Sequence, residues 1–495
     1  MTGRVVVGVD LGTQGVRALA VDDDGEVRAA ASRPLHSRRD RGADGGARHE
    51  QRPEEWCRAA EEVLGEIAGA VDVGRVHGLA VDATSGSVVL VDEREAALTP
   101  GVMYDDARGA AHLDRVREAG AAVWERLGYV VGPTWALPTL LPLLADHPGG
   151  RVRHQGDVVN AHLVGHPVAT DTSSALKTGY DLVARRWPTE VLGALGIDPA
   201  QLPDVVRPGT VVGGVDAAVA ERTGLRAGTP VVAGMTDGCA AQLAAGAVTP
   251  GSWNTVLGTT LVLKGVTEQL LRDPTGSVYC HLGPQGGWWP GGASSTGAAV
   301  LAELVAPGRF EEHTAALLAH EPPVVPVVYP LSGRGERFPF AAPDAAGFWL
   351  DDRHARGLDE LVGAVGERQA FAGIAEGVAF VERLAFEHLA GLGADVTGPR
   401  TITGGATANR WWNQRRADVL GVPLHRPRHA EPAFGMAVLA RAAADDEPDL
   451  VATAEVMVHR GEVLEPRHAP AADERYETFR AALVARGWLP EGCGP

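Results

Sequence analysis

A strand, a tight acidic turn and a second strand lie near the N-terminus, in Val5-Val6-Val7-Gly8-Val9-Asp10-Leu11-Gly12-Thr13-Gln14-Gly15-Val16-Arg17-Ala18-Leu19-Ala20-Val21-Asp22. Two apolar runs that bracket a Gly-containing turn read as an antiparallel hairpin. The turn offers backbone N–H groups and the Thr13 hydroxyl to an anion, while Asp10 stands where it could hold a divalent cation. Gly12 and Gly15 are expected to let the backbone turn tightly. Alone, the stretch also fits an ordinary hairpin whose Asp and Gly only form the turn.

A second copy of the pattern lies far down the chain, in Asn254-Thr255-Val256-Leu257-Gly258-Thr259-Thr260-Leu261-Val262-Leu263. Two Gly-Thr hairpins half a chain apart predict a duplicated architecture in which each half presents one phosphate loop to a shared cleft. The basic residues are almost all Arg; the lysines are Lys177 and Lys264. Neither sits in a Gly-Lys-Ser or Gly-Lys-Thr loop, nor on a strand beside a Gly-rich loop, so a P-loop and a protein-kinase-like fold are excluded. Nucleotide phosphates must then be held by amides, hydroxyls and a metal ion.

With 495 residues the chain is long enough for two or three domains with cores of their own. Its net charge of −18 argues against nucleic acid and anionic membranes as partners. A small neutral substrate fits better, taken by a monomer or homodimer. Cys57, Cys239, Cys280 and Cys493 show no CxxC spacing, and the histidines form no HExxH motif, so neither a disulfide framework nor zinc chemistry is expected. No Gly-x-Ser-x-Gly marks a strand-to-helix nucleophile turn. No secretory leader pattern or membrane-length apolar run is present, and a cytoplasmic location is expected.

Strands and helices alternate, the pattern of an α/β protein. Residues 5–31 read as two strands and the start of a third, 37–46 as a polar loop and 53–70 as a helix. The stretches 76–82, 87–92 and 231–238 read as strands, the last leading into a helix at 239–246. The Gly- and Pro-containing stretch 246–251 is the best linker. It sets an N-terminal domain of residues 1–246 against a C-terminal domain of 247–482, with a pattern-free tail of 483–495. Within the second half a helix is expected over 367–392. A strand through Thr401-Ile402-Thr403 then enters Gly404-Gly405-Ala406, with a helix beyond.

Several residues could carry chemistry. Asp237, where a buried strand meets a helix, suits a general base and equally suits a helix N-cap. Thr84 and Ser85, in the loop after Asp82, could hydrogen-bond a polyol or simply form a solvent turn. The run Met103-Tyr104-Asp105-Asp106-Ala107-Arg108 reads more readily as a surface ion cluster. Gly404-Gly405-Ala406, followed by Asn409 and Trp411-Trp412, could admit a purine close to the backbone or be a plain strand-to-helix turn.

In their order and spacing these segments resemble the FGGY family of carbohydrate kinases, within the actin, Hsp70 and hexokinase-like superfamily. The resemblance runs from Val5 to about Trp488. It takes in both hairpins, Leu202 to Gly213, Ala233-Gly234-Met235-Thr236-Asp237-Gly238, Glu376-Gly377-Val378-Ala379, and Gly404 to Asn409 with Gln414 and Ala417-Asp418-Val419. It implies an α/β fold of two ribonuclease H-like domains flanking a central ATP and sugar cleft, with ATP and Mg²⁺ as cofactors. It also implies that Asp237 accepts the proton of a sugar hydroxyl and that Asp10 contacts the substrate and helps place Mg²⁺. Gly12, Thr13, Gln14, Gly258, Thr259 and Thr260 would cradle the phosphates. Gly404, Gly405, Ala406 and Asn409 would line the adenosine pocket, and Thr84 and Ser85 would contact the sugar. Xylulokinases usually carry Met-His-Gly where this chain has Asp82-Ala83-Thr84-Ser85-Gly86, and their Lys and Trp near the N-domain helix are replaced by Thr139 and Pro142. The Asp82 loop, the Met103 run and Asp171 to Asp181, with Lys177 and Tyr180 as landmarks, look more like the D-ribulose kinase branch. The sequence expectation is therefore a ketopentose kinase acting on the 5-hydroxyl of D-ribulose, with D-xylulose or another ketose or polyol as the alternative. A catalytically weak sugar and nucleotide sensor is the competing class.

Overall fold

The computed structural model describes residues 3–43, 45–320, 324–352, 354–445 and 447–490. The chain forms two compact α/β units. The first comprises Met1–Val248, His281–Trp289 and His429–His459; the second comprises Thr249–Cys280, Pro290–Arg428 and Arg460–Pro495. Each unit is thus completed by chain that returns from later in the sequence.

The first unit is built on strands β1 (Val5–Leu11), β2 (Gly15–Asp22), β3 (Val27–Pro34), β4 (Val76–Ala83), β5 (Val211–Gly214) and β6 (Pro230–Thr236). They form a six-stranded sheet in the order β5-β6-β4-β1-β2-β3. β4 runs parallel to both β1 and β6, whereas β1 and β2 form the antiparallel hairpin read from the sequence. Every residue of β1 is buried, the run of apolar side chains expected where both faces of a strand are covered. One cover is the helix Pro53–Ala70, which begins with Pro at its first position and Glu54 and Glu55 in its first turn. Its Trp56, Val63, Leu64 and Ile67 share one apolar cluster with Val5, Val7 and Val9. The other cover is the helix Pro432–Ala443, which lies so close that a Cβ on Gly8 would stand 1.7 Å from the Ala433 carbonyl oxygen.

The second unit carries β7 (Trp253–Leu257), β8 (Leu261–Gly265) and β9 (Arg400–Thr403) in one sheet. β7 pairs antiparallel with β8 and parallel with β9. The long helix expected over 367–392 spans Glu367–Gly391.

Three stretches differ from the sequence expectation. The polar loop of 37–46 contains a strand: Arg38–Arg41 pairs with Ala47–Gln51 through the ladder Arg38↔Glu50 to Arg41↔Ala47, residue 44 lying outside the described residues. All four residues of Arg38–Arg41 are exposed, so backbone pairing there needs no apolar side chain and leaves no hydrophobic period to read. The strand expected to run to 238 stops at Thr236, and its helix begins at Asp237. The tail expected from 483 starts inside the helix Pro470–Val484, where Leu483 is buried. Beyond it Trp488 packs on Tyr329 and Phe348; residues 491–495 lie outside the described residues. Among the described residues no helix is long and apolar enough to cross a membrane.

Candidate active site

Three parallel strands of the first unit leave its sheet at one end. Leu11 of β1 and Thr236 of β6 both pair with Ala83 of β4, so the turns that follow the three strands emerge side by side. One residue further in, Asp10 and Asp82 are direct partners across β1 and β4. Asp82 is fully buried, and no N–H or hydroxyl donor reaches either of its carboxyl oxygens. Its hydrogen bond is to the Asp10 carboxyl, which two acids can form only by sharing a proton.

Burial, and then the charges of Asp10 and Asp237, push the Asp82 carboxyl well above the usual carboxylate range. Burial pushes Asp10 up to about 6; the Asp82 hydrogen bond and the Arg17 charge pull it down, and the Asp237 charge adds to the rise. Both carboxyls are thus held above the usual carboxylate range, and Asp10 loses its proton at about 6. The sequence reading singled out Asp10 and Asp237 and passed over Asp82. The signal was present, because both Asp10 and Asp82 end apolar strands just before Gly-, Ser- or Thr-containing turns.

Asp237 occupies the first helical position and accepts the Gly238 N–H at 2.7 Å. The N-cap is Thr236, whose side chain makes no capping bond, so the capping role weighed for Asp237 falls to its neighbour's backbone. In the adjoining turn the Gly12 N–H meets the Gly15 carbonyl at 3.1 Å. The Gln51 amide donates to the Thr13 carbonyl at 2.7 Å. Gln14 is exposed, with its carbonyl accepting from the Leu35 N–H at 3.0 Å. Gly12 and Gly15 make this tight turn without a left-handed φ. Gly15 is instead required by close approach, since its Cβ would stand 2.6 Å from the Arg33 carbonyl oxygen.

Thr84 and Ser85 differ in what they can offer. The buried Thr84 hydroxyl lies 2.6 Å from both Ser87 Oγ and Gln155 Oε1, an internal knot. Ser85 Oγ is buried with no partner, and the Ser85 carbonyl accepts from Lys177 Nζ at 3.2 Å. Lys177 is only 9% exposed. The Met103–Arg108 run is not the surface cluster expected: Asp106 is buried and accepts from the His49 N–H and the Arg108 guanidinium. Tyr104 hydrogen-bonds Thr13, and its phenol is raised by burial and by the charges of Asp105 and Asp237.

The second unit presents a matching edge in which glycine brings backbone close to backbone. The Gly258 N–H meets the Thr260 carbonyl at 3.0 Å, and Thr259 is exposed at the tip. Val256 pairs with Thr403, which brings the Gly258 turn and the Gly404-Gly405-Ala406 turn out together. Gly404 has φ 92°, and a Cβ there would stand 2.4 Å from the Leu257 carbonyl oxygen. Nothing lies within 4 Å of a Cβ on Gly405. Gly297, which the sequence reading missed, packs its backbone on the hairpin; its Cβ would stand 2.4 Å from the Thr259 carbonyl oxygen.

Asn409 caps the helix Arg410–Leu420 through the Trp412 N–H at 3.0 Å and donates to Thr314 Oγ1 at 2.7 Å, so its side chain is already engaged. Trp411 and Trp412 are buried rather than presented to a purine. Among the described residues no three His, Cys, Asp or Glu side chains are grouped to hold a metal ion by themselves.

Each of the two α/β units carries a Gly-Thr hairpin beside a neighbouring strand-end turn, and the sequence holds no Gly-Lys-Ser or Gly-Lys-Thr loop. Residues 5–244 match the N-terminal domain, and residues 246–444 the C-terminal domain, of the FGGY family of carbohydrate kinases. The chain is 27% identical to the xylulose kinase of Escherichia coli strain K12, over 96% of this chain and 97% of that protein. It is 30% identical to the xylulose kinase of Streptomyces rubiginosus, over 87% of this chain and 85% of that one. The crystal structure of the xylulose kinase from Rhodospirillum rubrum superposes with a TM-score of 0.84 at 25% identity, over 98% and 99% of the two chains. The chain belongs to the FGGY family of carbohydrate kinases, ATP-dependent sugar phosphotransferases.

Proposed function

We propose that the protein phosphorylates a ketopentose with ATP, with D-xylulose as the first candidate and D-ribulose as the second. The carrying observation is the first unit's edge, where Asp237 stands beside the proton-sharing pair Asp10 and Asp82 at the end of parallel strands. The sugar hydroxyl gives its proton to Asp237 and attacks the terminal phosphoryl group of ATP, and ADP leaves. Transfer of this kind depends more on positioning and charge stabilisation than on a strong base. The ionised Asp10 orients the reacting groups, with Asp82 holding its carboxylate through the shared proton. Gly12, Thr13 and Gln14 offer donors to phosphate from one unit, and Gly258, Thr259 and Thr260 offer them from the other. Gly404, Gly405 and Ala406 give the adenosine a backbone surface; Asn409 supports that turn rather than reaching the base.

Asp10 also suits Mg²⁺, because this ion is commonly held by one or two carboxylates with substrate phosphates and water, and the crowded acids here favour a cation. When bound, Mg²⁺ neutralises charge that develops on the phosphates.

D-xylulose is preferred over the D-ribulose expected from the sequence because the relatives named above are xylulose kinases. D-ribulose stays second on one observation: the Asp82-Ala83-Thr84-Ser85 loop, with Lys177 against it, where xylulokinases usually carry Met-His-Gly. Ser85 is the stronger sugar contact of the two loop hydroxyls. The test is coupled ADP release with Mg²⁺-ATP across D-xylulose, D-ribulose, their L-enantiomers, ribitol, xylitol and glycerol, with the product phosphate identified by mass. Fast turnover of D-xylulose is expected. Turnover confined to D-ribulose would reverse the order, and ADP release unaffected by any sugar would point to the sensor.

A further inference from the structure

Within the first unit, beside the strands that carry Asp82 and lead to Asp237, β4, β6 and the helix Gln155–Val164 border a cavity with room for one water-sized particle. Asp157, Asn160, Asp171 and Ser174 contribute its polar lining, and no Lys, Arg or His is among the residues that line it. Asp157 is 3% exposed, Asn160 5% and Asp171 7%.

The two carboxyl groups are held by hydrogen bonds from Ser173, Ser174 and His154. Asp171 Oδ1 accepts the N–H groups of Ser173 and Ser174 at 2.7 and 3.0 Å and the Ser173 hydroxyl at 2.5 Å. Asp157 Oδ2 accepts the His154 N–H at 2.9 Å and lies 3.0 Å from His154 Nδ1. The side-chain carbonyl oxygen of Asn160 is buried and has no hydrogen-bond partner. An amide oxygen without a donor, facing the same space as two buried carboxyl groups, marks a place where positive charge is missing.

We propose that this cavity binds a bare monovalent cation of about the size of potassium, held by Asp157, Asp171 and the side-chain oxygen of Asn160. An all-oxygen lining suits a hard cation. Mg²⁺ sheds its water reluctantly and usually keeps several waters, so it does not fit a space for one particle. A bare potassium ion is close to a water molecule in size and needs no retained shell. The ion would tie the helix Gln155–Val164 to the Thr172–Leu176 segment that follows Asp171.

The experiment compares melting of the full-length protein, without sugar or nucleotide, in the chlorides of potassium, sodium, lithium and tetramethylammonium at matched ionic strength. Potassium is expected to raise the first transition by on the order of 5 °C over tetramethylammonium. The shift should vanish in Asn160→Leu. Crystals soaked in rubidium chloride should show an anomalous peak between Asp157, Asp171 and Asn160, a readout that survives if the variant fails to fold. Equal melting in all four salts, a shift undiminished in Asn160→Leu, or no anomalous peak in the cavity would each overturn the site in favour of buried water. Because no substrate is present, the outcome is independent of the sugar assignment.

Discussion

The two Gly-Thr hairpins share a backbone plan and differ in what stands beside them. The first, β1 and β2, turns next to Asp10, Asp82 and Asp237, with Asp10 and Asp82 paired across neighbouring strands. The second, β7 and β8, turns next to Gly404 and Gly297, where glycine allows backbone to meet backbone, and the nearby Glu336 carboxyl is taken up by Ser294, Ser295 and Thr296. On the proposed function one plan serves two tasks: the acidic edge carries proton transfer and the sugar, and the glycine edge holds the nucleotide.

The largest test of this division is Asp237→Asn, which removes the base while keeping shape. Turnover should fall about 10³-fold, measured as sugar-dependent ADP release; a rate within a few-fold of wild type would remove Asp237 from the chemistry.

Acidity gives the next effect. Asp10 must be ionised to act, so kcat/KM should fall roughly tenfold per pH unit below about 6. Stability should run the opposite way. The folded state holds the Asp10 proton more tightly than the unfolded chain does. Its stabilising contribution is therefore present below the ordinary value of 3.8 and lost as pH rises through about 6, a change of about 3 kcal/mol. Melting of the protein without ligands should trace that loss, and Asp10→Asn should flatten it. An unchanged slope in the variant would deny the acid pair its role.

On the glycine edge, Gly404→Ala places a Cβ against the Leu257 carbonyl at a left-handed φ. It should cost about 2 kcal/mol of stability and raise KM for ATP about tenfold while sparing KM for the sugar. An equal rise in both constants would dissolve the distinction between the edges. Smallest is Ser85→Ala, expected to raise KM for the sugar about threefold, against no change for Thr84→Val if Thr84 is only an internal strut.

Much of this comparison was legible in sequence because apolar periodicity and turn chemistry mark strands and helices directly. The helix Pro53–Ala70, both hairpins and the strand ending at Thr403 follow from it. Asp82 was not legible as a partner of Asp10, since their pairing depends on strand register across 72 positions of chain. The tight turn at Gly12 and Gly15 was legible, but the packing of Gly15 on the neighbouring β3 was not, since it depends on which strand lies alongside. Trp411 and Trp412 looked available because exposure is a property of packing, and packing buries both.

The most direct measurement is calorimetric binding of ADP to Asp237→Asn. If the acidic edge does chemistry and the glycine edge holds nucleotide, the affinity should stay within about threefold of wild type, less than 1 kcal/mol, while turnover is lost. Loss of ADP binding together with turnover would contradict the division of labour.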